Sequence, residues 1–291
     1  STWFSSSDQL TDIFPLFPPH VFHIFLPVES KWTSLPSTFF FFFHCAAFIV
    51  KFGKWQKVES TSSLDSGWDS LSVRHSFIRK VYMILASQLL VTTAIVAIFT
   101  FVEPVRYFVQ RNQAVYWASF AVYFITHMVL VCCKGPRRKH PWNVILLLIF
   151  TLAMSYMTGA IASHYDTKAV FLALAITAIV CIVVTVFCFQ TKVDFTKCQG
   201  LFCVLGIVML VTGIITAIVL SFKYIPWLHM LYAAMGAIVY TLFLAYHTQL
   251  LIGNRKHSIS PEEYVFAALS IYVDIVQIFI FLLQIIGAAS K

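Results

Sequence analysis

Long apolar runs constrain this chain more than any other feature. From residue 81 onward there are seven of them, at 81–102, 115–133, 142–163, 169–189, 201–222, 227–252 and 263–286. A helix needs about 20 apolar residues to cross the hydrocarbon core of a bilayer. None of the runs alternates with period two, as a strand of a membrane barrel would. The expected fold is therefore an all-α integral membrane protein, a bundle of seven transmembrane helices. Short connections make neighbouring helices antiparallel. Charged residues are 11% of the chain, against about 25% in soluble domains, so a water-exposed globular surface is excluded. The 10 Gly, 10 Pro and 7 Cys in 291 residues exclude collagen-like and disulfide-framework chains. The net charge of +8 does not point to nucleic acid. The basic residues lie between apolar runs, where membrane topology accounts for them.

Those basic residues set an expected orientation. Arg74, Arg79, Lys80, Lys134, Arg137, Arg138, Lys139, Lys192, Lys197, Arg255 and Lys256 fall on one side. Arg106, Arg111, Lys168, Lys223 and Lys291 fall on the other. Cytosolic loops carry the excess of Lys and Arg, so the N-terminus is expected in the cytosol. Seven crossings put the C-terminus on the opposite side; a re-entrant last segment would return it to the cytosol.

Two regions are expected, an N-terminal segment 1–67 and a membrane domain 68–291. The first mixes Phe, Pro and Ser without periodicity and is expected to be disordered or partly non-native. The chain begins without Met, and the Phe39-Phe40-Phe41-Phe42-Phe43 run resembles a translated pyrimidine tract before a splice site.

Chemistry is sparse. There is no Gly-rich phosphate loop, no G-x-S-x-G, no H-E-x-x-H and no C-x-x-C, so no enzyme or cofactor is expected. An intramembrane hydrolase would need two acids or an acid with a metal. Among the seven runs Asp274 is the one charged residue well away from a helix end. Placing it at mid-membrane costs about 2.5–3.5 kcal/mol, so a partner, a proton or an ion must offset it. Asp274 is the candidate ion or proton site, or else a structural hydrogen-bonding group between helices. With Glu263, Ser270, Gln277 and Gln284 it forms a polar stripe at spacings of 3, 4 and 7, which should face the bundle interior. Ser270 and Gln277 are candidate pore-lining residues. The run that carries them reads as the least hydrophobic of the seven. Its start, Ser260-Pro261-Glu262-Glu263, has the pattern of a capping box with Pro at the first helical position.

His247, 27 residues before Asp274, is its candidate partner across one short loop. Counted from the helix ends at ~1.5 Å per residue, the two differ in depth by roughly 12 Å. A tilted, kinked or partly submerged last helix is needed to align them. His127 is another candidate lining residue, and His229 is expected at the membrane interface. Ser155, Gly159 and Ser163 form a small-residue ridge for close helix packing. Cys132 and Cys133, at the cytosolic end of the second run, are candidates for S-palmitoylation, or simply residues tolerated at a helix end. Cys198 and Cys203 flank the fifth run on the reducing side, where a disulfide is not expected.

The motifs between the runs carry a resemblance. Val73-Arg74 is followed by Phe77-Ile78-Arg79-Lys80-Val81-Tyr82, then Gly135-Pro136-Arg137-Arg138 with Pro141-Trp142-Asn143, then Met157-Thr158-Gly159. Phe189-Gln190-Thr191-Lys192-Val193-Asp194-Phe195 comes next, and Gly253-Asn254-Arg255-Lys256-His257 leads to Ser260-Pro261-Glu262-Glu263-Tyr264. From about residue 68 to 287 the chain resembles the Lifeguard branch of the transmembrane Bax inhibitor motif family. The resemblance implies a seven-helix bundle with the last helix central. It implies a pH-sensitive calcium leak across endomembranes (endoplasmic reticulum or Golgi, with the plasma membrane a further candidate) and suppression of apoptosis. The expected partners are the bilayer, calcium ions and apoptosis regulators or death-receptor components. In the family two aspartates gate the leak. One maps onto Asp274, which the resemblance makes the candidate pore and gating residue and a candidate calcium contact; the other falls in a pattern that here reads Ala245-Tyr246-His247-Thr248-Gln249, so His247 stands where an acid is usual. That departure raises a second expectation, a non-conducting membrane adaptor that restrains death-receptor or stress signalling.

Overall fold

The computed structural model describes residues 71–222, 225–253 and 259–289. Segment 1–67 and the cations Lys223, Arg255, Lys256 and Lys291 lie outside the described residues. The described residues hold nine α-helices in order: α1 Leu71–Phe101, α2 Glu103–Arg111, α3 Gln113–Cys132, α4 Lys134–Arg138, α5 Trp142–Ala162, α6 Thr167–Gln190, α7 Gln199–Phe222, α8 Pro226–Ile252 and α9 Tyr264–Ala289. Short 3-10 turns, Phe195–Cys198 and Pro261–Glu263, lead into α7 and α9. Seven of the helices, α1, α3 and α5 to α9, are long and apolar enough to cross a membrane, as the apolar runs predict. Trp142 at the start of α5 and Trp227 at the start of α8 are both exposed. Those starts lie at opposite ends of the bundle, where interfacial aromatic belts belong.

The last helix is the axis. In its spanning segment, Pro261–Ala289, 94% of the most apolar window is buried inside the protein, against 17% for Thr167–Gln190. Its main helical neighbours are α8, α6, α1 and α5. The other two spanning helices form an outer layer, α3 held chiefly through α5 and α7 through α8. The α9 segment is not the least hydrophobic span, since those of α3 and α8 are less apolar. Its polar residues stand out because burial, not composition, singles them out. Leu148, Ile179, Ile182, Val183, Ile215 and Ile238 face outward, which in hydrocarbon carries no penalty.

Local chemistry sets the ends. The first helix begins before the apolar run at 81, because Phe77 and Val81 are buried while its cations reach sideways. The Arg74 Nε–H donates to the Ile252 carbonyl, and the Lys80 ammonium lies 3.5 Å over the Tyr264 ring. Arg106 and Gln110 of α2 close the end of α5. Arg106 donates to the carbonyls of Ser163 (2.7 Å) and Tyr165 (3.1 Å), and Gln110 donates to that of Ser163 (2.6 Å). Cationic and amide donors at a helix C-terminus satisfy carbonyls that the helix itself leaves open. Gly253 ends α8 at φ 67°, a left-handed conformation in which a Cβ would be crowded.

The capping box expected at Ser260 does not form. The Ser260 side chain makes no cap hydrogen bond, and Glu263 is engaged elsewhere. Its Oε1 accepts from Arg137 Nη2 at 2.7 Å and Arg138 Nη2 at 2.9 Å. Arg137, itself 3% exposed, also donates to the Leu130 and Val131 carbonyls at the end of α3. Its guanidinium lies 5.3 Å from the Phe266 ring centre. Asn143 of α5 donates to the Tyr264 hydroxyl at 2.8 Å. Four elements thus grip the start of α9: α1, α4, α5 and, through Arg137, the end of α3. Removing one partner of a buried ion pair strands the other and costs about 3–5 kcal/mol. Glu263→Ala is therefore expected to lower stability by about that amount, read as a fall in unfolding temperature in detergent. Glu262→Ala, whose partner Arg138 is far more exposed, should change it little.

Candidate functional site

Asp274 and His247 meet. Asp274, in the middle of α9, is 0% exposed. His247, near the end of α8, has its Nδ1 2.6 Å from Asp274 Oδ2. One proton is shared across that contact. It belongs to His247 when the carboxylate is ionised, and the separation is that of a charge-assisted bond. The depth mismatch vanishes because α8 stops below the rim of the bundle. Leu250, Leu251 and Ile252 are all buried, and the buried Ile259 returns to donate its N–H to the Leu250 carbonyl at 3.1 Å. Depth counted from the end of α8 therefore understates how far in His247 lies.

The pair is walled by aromatic rings. Phe243 stacks on the imidazole with centroids 6.2 Å apart, and Tyr246 stands edge-on at 5.4 Å. One turn along α9, Gln277 is 0% exposed, and neither atom of its amide has a hydrogen-bond partner among the described residues. Ser270, one turn the other way, is buried but turns its hydroxyl back to the Phe266 carbonyl. Its polar group is spent within the helix.

His127 is not brought to this pair. It is buried on α3 between Tyr123 (5.5 Å) and Phe150 (5.6 Å). Phe150 in turn meets Tyr272, which points to the opposite side of α9 from Asp274. His229, in the first turn of α8, is buried. Cys132 is half-buried and Cys133 exposed at the α3–α4 junction. Among the described residues there is no disulfide. Among the described residues no group of three His, Cys, Asp or Glu side chains could hold a metal ion.

Two arrangements were not anticipated from the sequence. Behind α9, Thr92 of α1, Ser155 of α5 and Tyr272 form a buried hydroxyl cluster, with Thr92 Oγ1 2.9 Å from Ser155 Oγ and 2.8 Å from Tyr272 Oη. Gln88 extends it by donating to Thr151 Oγ1 at 2.8 Å. The signal was present: Gln88 and Thr92, and Thr151 and Ser155, are each four apart within apolar runs. Beside the pair, Gln249 accepts from the Phe195 N–H and donates to the Val193 carbonyl, both at 2.8 Å.

The family model described as "Inhibitor of apoptosis-promoting Bax1" matches residues 74–291. The chain belongs to the Bax inhibitor motif family. Within it the chain is 66% identical to human Protein lifeguard 3 over 220 residues, 76% of this chain and 71% of the relative. It is 62% identical to the mouse protein of the same name over 233 residues, 80% of this chain and 75% of the relative. These relatives place it in the Lifeguard branch. A more distant member, the Golgi anti-apoptotic protein of Vaccinia virus (strain Lister), is 34% identical over 223 residues, 76% of this chain and 89% of the relative.

The geometry makes a stability prediction for this family member. His247→Ala removes the imidazole and leaves the Asp274 carboxyl buried, which should cost about 3–5 kcal/mol. The double replacement His247→Leu with Asp274→Val removes both polar groups with a smaller change of volume and should restore most of that loss. Thermal unfolding of the two variants in detergent checks the order.

Proposed function

We propose that the chain is an endomembrane protein that restrains apoptosis and lets calcium leak through its bundle, with the His247–Asp274 pair as the latch. One observation carries this reading: a titratable acid–base pair, fully buried, bridges the central helix to its neighbour at 2.6 Å. Such a pair joins two helices only in certain protonation states, so it ties helix separation to pH. The name of the viral relative, a Golgi anti-apoptotic protein, favours an endomembrane. The end carrying Arg137 and Arg138 is taken as cytosolic, by the excess of Lys and Arg there.

Histidine at 247 alters the electrostatics of the latch. A His–Asp pair carries a net charge of 0 or −1 around neutrality; two acids would carry −1 or −2. Calcium is a hard cation that seeks anionic oxygen, so this latch attracts it less than a pair of carboxylates.

The test is calcium flux into vesicles holding the purified full chain, from about pH 5 to about pH 8, where imidazole changes charge. Asp274→Asn should reduce the flux by about tenfold or more, as loss of an intramembrane acid on a pathway does. His247→Asp should change both its size and its pH dependence; unchanged flux at every pH removes position 247 from the latch. The missing second acid favours one other reading, a non-conducting adaptor acting on death-receptor or stress signalling. Full protection from apoptosis by an Asp274→Asn chain that passes no calcium would select it.

A further inference from the structure

The polar face of α9 has a gap, and the gap is filled by one ring. Asp274, Gln277, Phe281 and Gln284 follow at spacings of 3, 4 and 3 and share one helix face. Phe281 is 0% exposed. Its ring lies 5.8 Å from that of Tyr232 and 5.9 Å from that of Tyr240, both on α8. Between those tyrosines stands Gly236, where a Cβ would come within 2.6 Å of the tip of the Phe281 ring. The eighth helix thus lacks a side chain where the ring presses on it.

Polar groups lie on both sides of this plug. Toward the latch is Gln277, fully buried with no hydrogen-bond partner for its amide among the described residues. Toward the other end is Gln284, 1% exposed, facing the buried His229. An amide buried without a protein partner loses its hydration with nothing in exchange. In a native fold such a group points to water or another polar ligand at the site. A short apolar constriction between wettable stretches blocks ions by excluding water rather than by charge.

We propose that Phe281 is a hydrophobic barrier between two wettable reaches along α9, Asp274–Gln277 and Gln284–His229, and that water and a hydrated cation pass when the ring leaves Gly236. The passage of a cation rests on the calcium-leak reading above; the exclusion of water does not. The barrier is a second closure, in series with the His247–Asp274 latch and independent of its protonation.

The experiment uses the full chain in vesicles, with its native cysteines replaced and Gln277→Cys introduced. A charged, membrane-impermeant methanethiosulfonate is added from each side in turn. With Phe281 in place, labelling from the His229 side should be slow; Phe281→Ala should raise its rate by at least about tenfold. Phe281→Leu, still apolar, should leave it slow. Phe281→Gln, smaller than the ring but larger than alanine, continues the polar stripe, so it should open the path even if the alanine variant does not fold. Equal labelling from that side in the unsubstituted and the folded Ala or Gln chains overturns the barrier. Calcium flux on the same vesicles separates the two readings. Labelling that opens while no chain passes calcium keeps the barrier and sinks the leak. Flux in the unsubstituted chain with unchanged labelling keeps the leak and sinks the barrier.

Discussion

Hydrocarbon offers a buried polar group no substitute for water, and this bundle is organised around that fact. Asp274 would be costly anywhere a lipid tail could reach it. The structure answers by burying most of α9 inside the protein, with six other crossings arranged around or outside it. The inner neighbours α1, α5 and α8 carry what polar side chains the axis needs: Thr92, Ser155 and His247. The outer helices, α3 and α7, pack chiefly against α5 and α8 rather than against the axis.

The axis is held differently at its different levels. Its start is fixed by charge, through Arg137 and Arg138 on Glu263. Its middle is held by hydrogen bonds on opposite faces, Tyr272 to Thr92 on one and Asp274 to His247 on the other. Further along, shape takes over: Phe281 fits against Gly236, and Gly287 gives room to Tyr165. A pH change that loosens the His247–Asp274 contact acts on one of these restraints. The hydroxyl cluster behind it does not titrate in that range, so it would act as a hinge line rather than a second switch.

What could be read from the chain depended on how local the governing physics was. Seven crossings follow from run length, and Asp274 follows from being the lone charge inside them. The pairing with His247 was legible as a hairpin, but its level was not. Where α8 ends relative to the bundle rim is decided by Ile259 folding back on Leu250, a contact that no local pattern encodes. Glu263 looked like a capping residue because capping is local; its real partner, Arg137, is 126 residues away. The short amphipathic α2 escaped notice because a nine-residue helix is too brief to stand out from a loop. Phe281 was invisible for the opposite reason. One phenylalanine among 29 differs from its fellows only by the polar company on its helix face.

Gln249 has a mechanical consequence. Its side chain grasps the strand-like stretch between α6 and α7 by both a carbonyl and an N–H, and it sits two residues from His247 on the same helix. That stretch includes the exposed Lys192 and Val193, at the end of the bundle that also carries Arg137. A body that tugged on those residues would be pulling, through one amide, on the rod that bears the imidazole. The interior pair and the surface loop are therefore a single lever, and force applied at the rim would be felt at the centre.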